Sequence, residues 1–576
     1  MYAMPVGVDN FAKIIENKYY FVDKTNFIKE LLDKKAMVTL ITRPRRFGKT
    51  LAMRMLQEFF DINAAGRDTF RGLNISRAGE EYMQHRGKYP VIFFSLKDIA
   101  TGNYQDALRD LCGKISDLYA EYGFLADSPA LNEREKGYFL SVYNIAAHEQ
   151  YSRDKWCKSL KMLTVYLWKH YGVKTILLLD EYDAPIQHAW EDGYYEDMIR
   201  FMRQFYSEVL KGNDALEFAV LTGVLRVAKE SIFSGLNNLK VCSVLSEDYS
   251  DIFGFTGEEV ARMAADLQQD DKLPEIREWY DGYNFGGSEI YNPWSVIMYF
   301  DAKCKPAPYW VNTSGNGIVK QIFKFSGQEG ADDLQSLMDG GSVFKQLREG
   351  VVYANIGDHI DDLYSILLMT GYLKCVGLME KPYGEEAELR IPNKEIRSLF
   401  GREILENFIA AGSVSRLGRM LDAMVSGHGD IFESVLSGIV RNSVSYHDAA
   451  NGESFYHGMM LGFCVLLKES HIVESNRESG YGRFDLALIP TDRRYYGVIM
   501  EFKRAADEGQ LEEKALEALA QIEELSYIAE FQQRQIEKVW TKNMKFQTNM
   551  YSKIGFYGIM VIENLRSAVA PKERSI

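Results

Sequence analysis

The feature that most restricts the fold is an apolar run, Val38–Thr42, that breaks into a basic loop and then into a helix starting near Gly48. Ile41–Thr50 reads ITRPRRFGKT. Strand, tight loop and helix in that order are the context a phosphate-binding P-loop requires. Gly48 lets the backbone approach a phosphate, Lys49 can bridge β- and γ-phosphates, and the Thr50 hydroxyl can ligate Mg²⁺. Arg46, on the same loop, is a further nucleotide-binding candidate. The dipole of the following helix adds attraction for an anion. Arg43 stands where such loops normally carry their first glycine, which is expected to tighten or distort the turn. The bland alternative is a basic turn on an unrelated helix cap.

A second motif bears on that choice. TILLLDEYD puts Asp180 at the end of an apolar strand, with Glu181 next to it. An aspartate there can hold the Mg²⁺ shell, and an adjacent glutamate can polarise an attacking water. Read alone, the pair could merely cap the next helix. The fourth strand candidate ends LTGVLRVAKE: Thr222 falls where a polar sensor of the γ-phosphate would sit. Arg226 could reach the phosphate in cis or in trans, or form a surface salt bridge. ATP and Mg²⁺ are therefore the expected cofactors.

The strand candidates Val38–Thr42, Val91–Ser95, Thr175–Asp180 and Phe218–Thr222 are continuously apolar, as strands buried on both faces are. With helical patterns between them they predict a parallel α/β sheet. At 576 residues the chain is too long for one core. The expected division is a P-loop domain over 1–260, a helical or winged-helix-like middle over 261–400, and a helical linker plus α/β domain over 401–576. In the middle, Leu363–Thr370 reads as a helix, and Tyr372–Val376 and Glu388–Ile391 as two short strands. The aromatic runs WYDGYNF and YNPWS read as packing of this module.

The formal net charge of −14 argues against a protein that coats nucleic acid by bulk electrostatics. A local basic groove remains compatible with it. No run of 18 or more apolar residues occurs, so no membrane is expected, and the first residues lack a signal-peptide pattern. Six scattered cysteines without a CxxC pair fit reduced thiols in the cytoplasm.

In the last third, Phe484–Ile489, Tyr496–Phe502 and a segment near Gly555–Ile562 read as strands, with a charged helix at about Glu508–Ala529. Asp485 sits early on the first strand, and Glu501 and Lys503 end the second on one face. A hairpin would bring Asp485 alongside them. Two carboxylates can then bind Mg²⁺ or Mn²⁺, and the lysine can position the attacking water. Glu453 is a further ligand candidate. Gln521 and Tyr527 could contact a nucleic-acid backbone, with Arg477, Arg483 and Arg504 supplying local positive charge. Taken alone, this D-x15-ExK spacing is a weak signal.

Longer stretches carry a resemblance. YYFVDKTNFI (19–28), TRPRRFGKTL (42–51), LLLDEYDAPI (177–186), LTGVLRVAKESIFSGLNNL (221–239), WYDGYNFG (279–286), IPNKE (391–395), ESFYHGMMLG (453–462) and SNRESGYGRFD (475–485) are among the matches. Through them the chain resembles bacterial AAA-ATPase-like proteins fused to a PD-(D/E)XK nuclease-superfamily domain. That family's own loop looks like RPRRFGK[ST], so Arg43 fits it. The resemblance implies a P-loop ATPase-like fold, a helical or winged-helix middle and a nuclease-like C-terminal domain.

Two readings follow. In the first, nucleotide state at Lys49, Asp180 and Glu181 gates a Mg²⁺-dependent nuclease at Asp485, Glu501 and Lys503, acting on DNA or RNA. In the second, the chain is a nucleotide-dependent switch or scaffold whose C-terminal domain binds nucleic acid or a partner without cutting. A homo-oligomer is required only if an arginine acts in trans.

Overall fold

A computed structural model describes residues 3–99, 102–144, 153–227, 239–310, 333, 336–338, 340–348, 350, 359–382, 384–400, 414–443, 460, 463–464, 467, 470–475, 478–479, 482–483, 486–492, 494–505, 542–547 and 555–561. The chain divides into two compact units, Met1–Ile318 with Phe344–Ile396, and Val319–Val343 with Arg397–Ile576.

The first unit is built on five parallel strands: β1 Val38–Thr42, β2 Val91–Ser95, β3 Thr175–Asp180, β4 Leu216–Gly223 and β5 Leu239–Cys242. Their order is β2-β3-β4-β1-β5. Every residue of β1 and β3 is buried, because helices cover both faces. The sequence expectation is met for β1 to β3 with identical bounds, and β4 is longer than expected by two residues at its start and one at its end. Leu239–Cys242 was not expected as a strand. It is only partly buried at the sheet's edge, so it lacks the continuous apolar run that marks the others.

One face of the sheet is packed by the helix Lys49–Phe60, which buries Met53, Leu56, Phe59 and Phe60 against Ile41, Phe93, Ile176 and Val220. Register aligns the strand ends: Thr42 pairs with Gly223, Leu179 with Leu221, and Ser95 with Asp180. The carboxyl ends of β1, β3 and β4 therefore open on one crevice, where open α/β sheets bind ligands.

The remaining elements of this unit include two small sheets. Strands β6 Phe255–Thr256, β7 Tyr283–Phe285 and β8 Ser288–Tyr291 form one. Helices over 257–266, 273–280 and 293–301 share a core of Val260, Met263, Ile276, Tyr280, Val296 and Tyr299 with it. β9 Val343–Gln346, β10 Lys374–Lys381 and β11 Gly384–Arg390 form the other, in the order β10-β11-β9. The expected helix is present as Ile360–Thr370, ended by Gly371 in a left-handed turn at φ 88°. The hairpin behind it is longer than the two expected strands.

The second unit joins helices Val414–Val425 and Gly429–Ser443 to β12 His471–Ser475, β13 Glu478–Ser479, β14 Gly482–Arg483, β15 Leu486–Pro490, β16 Val498–Ala505, β17 Lys542–Gln547 and β18 Gly555–Val561. β13 and β14 form a two-stranded pair. The main sheet runs β12-β15-β16-β18-β17, and its neighbours are antiparallel. Leu486, Leu488, Val498 and Met500 alternate along β15 and β16 to meet Leu417, Met420, Met424 and Phe432 of the helices. The expected helix over 508–529 lies outside the described residues.

Among the described residues, no helix is long and apolar enough to cross a membrane. All six cysteines are free thiols, and five are buried.

Candidate functional site

The crevice at the ends of β1, β3 and β4 gathers most of the residues singled out in the first half of the chain. Gly48 caps the helix Lys49–Phe60 with φ 82°, a backbone state that glycine adopts without strain. A Cβ at Gly48 would meet nothing within 4 Å, so the constraint there is conformational. Lys49 is 7% exposed, and its ammonium donates to the carbonyls of Arg43 at 2.9 Å and Pro44 at 2.7 Å. Burial pushes its pKa down to about 8, against the pull of Glu181, Asp180 and Asp183. A buried ammonium held only by loop carbonyls can turn to a polyphosphate at little rearrangement cost.

Thr50 donates its hydroxyl to Asp180 Oδ2 at 2.7 Å, and Thr222 donates to Asp180 Oδ1 at 2.5 Å. Strand order explains the pairing. β4 lies between β1 and β3, so its penultimate residue, Thr222, sits beside the aspartate that ends β3. Each hydrogen bond to a charged acceptor contributes on the order of 1.5–3 kcal/mol. A hydroxyl and a carboxylate in contact are the hard oxygen donors that suit Mg²⁺. Among the described residues no three His, Cys, Asp or Glu side chains converge to hold a metal unaided.

Glu181 follows in the left-handed region at φ 53°, costly for a residue with a Cβ and a common mark of functional positions. Burial raises its pKa, and Asp180 adds to the rise. Arg226 is half-buried on the segment after β4, and Arg46 is exposed with φ 67°. The Arg46 guanidinium lies 4.5 Å from the centroid of the Trp294 ring.

The Arg43 side chain, unlike its carbonyl, takes no part in that crevice. Its guanidinium is wholly buried and donates to the carbonyls of Thr42, Cys242, Ser243, Asp248 and Tyr249 at 2.6–3.4 Å. It also lies over Phe253 and Phe285, 5.7 and 5.1 Å from their centroids. Burial lowers its pKa to about 10, so it stays charged at neutral pH. The residue in the first glycine position thus ties the loop to the chain following β5.

Sequence reasoning missed the second half of DEYD. Asp183 is 3% exposed and accepts from the backbone N–H groups of Val224 and Leu225 at 2.9 and 2.8 Å. Tyr182 donates to the Leu225 carbonyl and accepts from the Val227 N–H. The acidic motif of β3 therefore clamps the segment that carries Arg226. Gly223 is required between them, since a Cβ there would stand 2.5 Å from Asp183 Oδ1 and 2.6 Å from the Tyr182 ring. The signal available was a second aspartate three residues after Asp180. The aromatic runs do pack in their own module, through Tyr280 and Tyr291, and they also reach the loop: Phe47 lies 4.9 Å from Tyr283 and 5.2 Å from Phe285, centroid to centroid.

In the second unit, β15 and β16 form the expected hairpin, with Leu486 opposite Met500 and Leu488 opposite Val498. Glu501 and Lys503 take alternate positions on β16, and their backbones pair with Ile559 and Tyr557 of β18. Asp485, Glu453, Arg477, Gln521 and Tyr527 lie outside the described residues.

These two architectures are those of a P-loop α/β unit followed by an antiparallel-sheet unit, and comparison with known proteins gives each a family. Residues 5–233 match the family described as "Predicted AAA-ATPase", and residues 451–554 match the PD-(D/E)XK nuclease superfamily. The chain therefore carries an AAA-ATPase-like domain and a C-terminal PD-(D/E)XK nuclease-superfamily domain, as its motifs led us to expect. A curated protein of Azotobacter chroococcum mcd 1, described as "Uncharacterized protein in vnfD 5'region", is 27% identical over 580 residues, which cover 98% of this chain and 99% of its own.

Proposed function

We propose that the chain binds ATP with Mg²⁺ in the crevice of β1, β3 and β4, hydrolyses it, and uses the nucleotide state to gate a metal-dependent nuclease that cuts DNA or RNA. The observation that carries the first part is the Thr50–Asp180–Thr222 chain of hydrogen bonds beside a buried, carbonyl-held Lys49. Thr50 and Asp180 would hold Mg²⁺, which neutralises phosphate charge when bound. Gly48, Lys49 and Arg46 bind the phosphates, and Thr222 holds Asp180 oriented. Glu181, its pKa raised by burial, is suited to take a proton from the attacking water. Arg226, fixed through Asp183 and Tyr182, stabilises the developing charge in cis or in the neighbour of a homo-oligomer.

The second part rests on the family match and on the hairpin register that ends beside Glu501. Asp485, Glu501 and Glu453 would bind Mg²⁺ or Mn²⁺, and Lys503 would position water at the phosphodiester. Supercoiled, linear and single-stranded DNA and RNA, incubated with either metal and with or without ATP, test both parts. Cleavage is expected in the native chain, abolished in Glu501→Ala, and altered in its ATP dependence in Lys49→Ala. ATP turnover without cleavage of any substrate would instead make the chain a nucleotide-dependent switch or scaffold.

A further inference from the structure

We propose that Glu395 and Trp310 are positioning residues that preset the phosphate loop for nucleotide, a role that rests on the ATP-binding reading above. Glu395 is fully buried at the end of the IPNKE run. Its Oε1 accepts from the Trp310 backbone N–H at 2.6 Å and its Oε2 from the Ser295 hydroxyl at 2.8 Å. Trp310 is 1% exposed, and its indole N–H donates to the Arg45 carbonyl at 2.9 Å. A buried carboxylate thus fixes a buried indole, and the indole fixes one peptide of the loop crest.

That peptide is the informative one. Arg45 stands between Pro44, whose carbonyl holds Lys49, and Arg46, which is left-handed at φ 67°. Holding the Arg45 carbonyl restrains both neighbours. Gly371 supports the same spot: a Cβ there would come 2.9 Å from Pro44 Cβ, so the loop leans on the turn that ends helix Ile360–Thr370. When a phosphate draws Lys49 off the Arg43 and Pro44 carbonyls, the loop loses two internal bonds. The Trp310 bond survives that change, so the crest keeps its shape with ligand present. Preset donors and restraints of this kind reduce the ordering cost of binding.

The test uses the full chain with W310F, E395Q and E395A. ATP binding with Mg²⁺ is titrated calorimetrically, and amide hydrogen exchange is read without nucleotide. W310F keeps the ring but not the donor, and is expected to weaken ATP binding roughly fivefold, about the worth of one hydrogen bond. E395A should weaken it further, and E395Q, which retains a carbonyl acceptor for the Trp310 N–H, should recover part of the loss. Exchange should quicken at Phe47–Lys49 in W310F while amides of β1 and β3 stay as slow as in the native chain. Native affinity and native loop exchange in both W310F and E395Q would overturn the proposal. If the native chain binds no ATP, the nucleotide reading fails by itself. Loop exchange then decides the positioning role: quickening confined to the loop upholds it, and unchanged or uniform exchange overturns it. Should E395A not fold, W310F and E395Q carry the decision.

Discussion

Two cations stand six residues apart in one loop, both buried, and they do opposite work. Arg43 spreads a planar guanidinium over five backbone carbonyls, one at the end of β1 and four at the end of β5 and in the chain following it, so it has no freedom to leave. Lys49 holds two carbonyls of its own loop and feels three carboxylates nearby. The difference follows from shape: a fork with five donors suits a fixed set of acceptors, and a compact ammonium on a flexible stem suits an exchangeable one. Burial of a charge therefore does not identify function. What separates a structural cation from a site cation is whether its partners could be given up.

Removing the fixed cation is the harshest way to break the comparison. Arg43→Met should cost roughly 3–5 kcal/mol in chemical denaturation, because several buried carbonyls lose their donor together. Arg43→Gly, which restores the ordinary loop residue, should be no milder. A native-like midpoint in both would make Arg43 dispensable and return it to the nucleotide.

Gly223→Ala comes next, at about 1–3 kcal/mol, since its Cβ would press on the Asp183 carboxylate and the Tyr182 ring. ATP turnover should fall with it if the DEYD clamp positions Arg226. Unchanged turnover in a folded variant would separate the clamp from the chemistry.

A pH titration sharpens the contrast between the cations. The Lys49 pKa, ordinarily 10.5, is lowered to about 8 in the fold, so the unfolded chain holds more protons between those values. Stability from this group is therefore present above 10.5 and lost as pH falls through about 8. Arg43, lowered by burial to about 10, adds its own rise only above that pH. Between pH 8 and 10 the native chain should gain on Lys49→Met by on the order of 1–2 kcal/mol. Parallel curves over that range would mean that Lys49 is solvated.

The smallest expected effect is that of Thr222→Val, about 1.5 kcal/mol, at the low end for such a bond because Asp180 keeps its bond from Thr50. Loss of ATP affinity well beyond that value would give Thr222 a direct place at the phosphates.

Much of the first unit was legible without coordinates. β1, β2 and β3 are runs of apolar residues that only a two-sided burial explains, and the loop announces itself through Gly48, Lys49 and Thr50. β12 and β17 were missed because they are the outer strands of their sheet, and HIVES and KNMKFQ mix polar with apolar residues as edges do.

The sequence by itself determined the phosphate loop, the acidic end of β3 and the hairpin of β15 and β16, since each is a local pattern whose period or spacing carries its own physics. Tertiary structure alone decided that Arg43 turns away from the crevice, that Asp183 grips residues 41 and 42 positions onward, and that Trp310 reaches Arg45 across 265 residues. Those contacts depend on which parallel strand lies beside which. Short-range patterns do not encode that order, because the crossovers between parallel strands can be wound in more than one sequence.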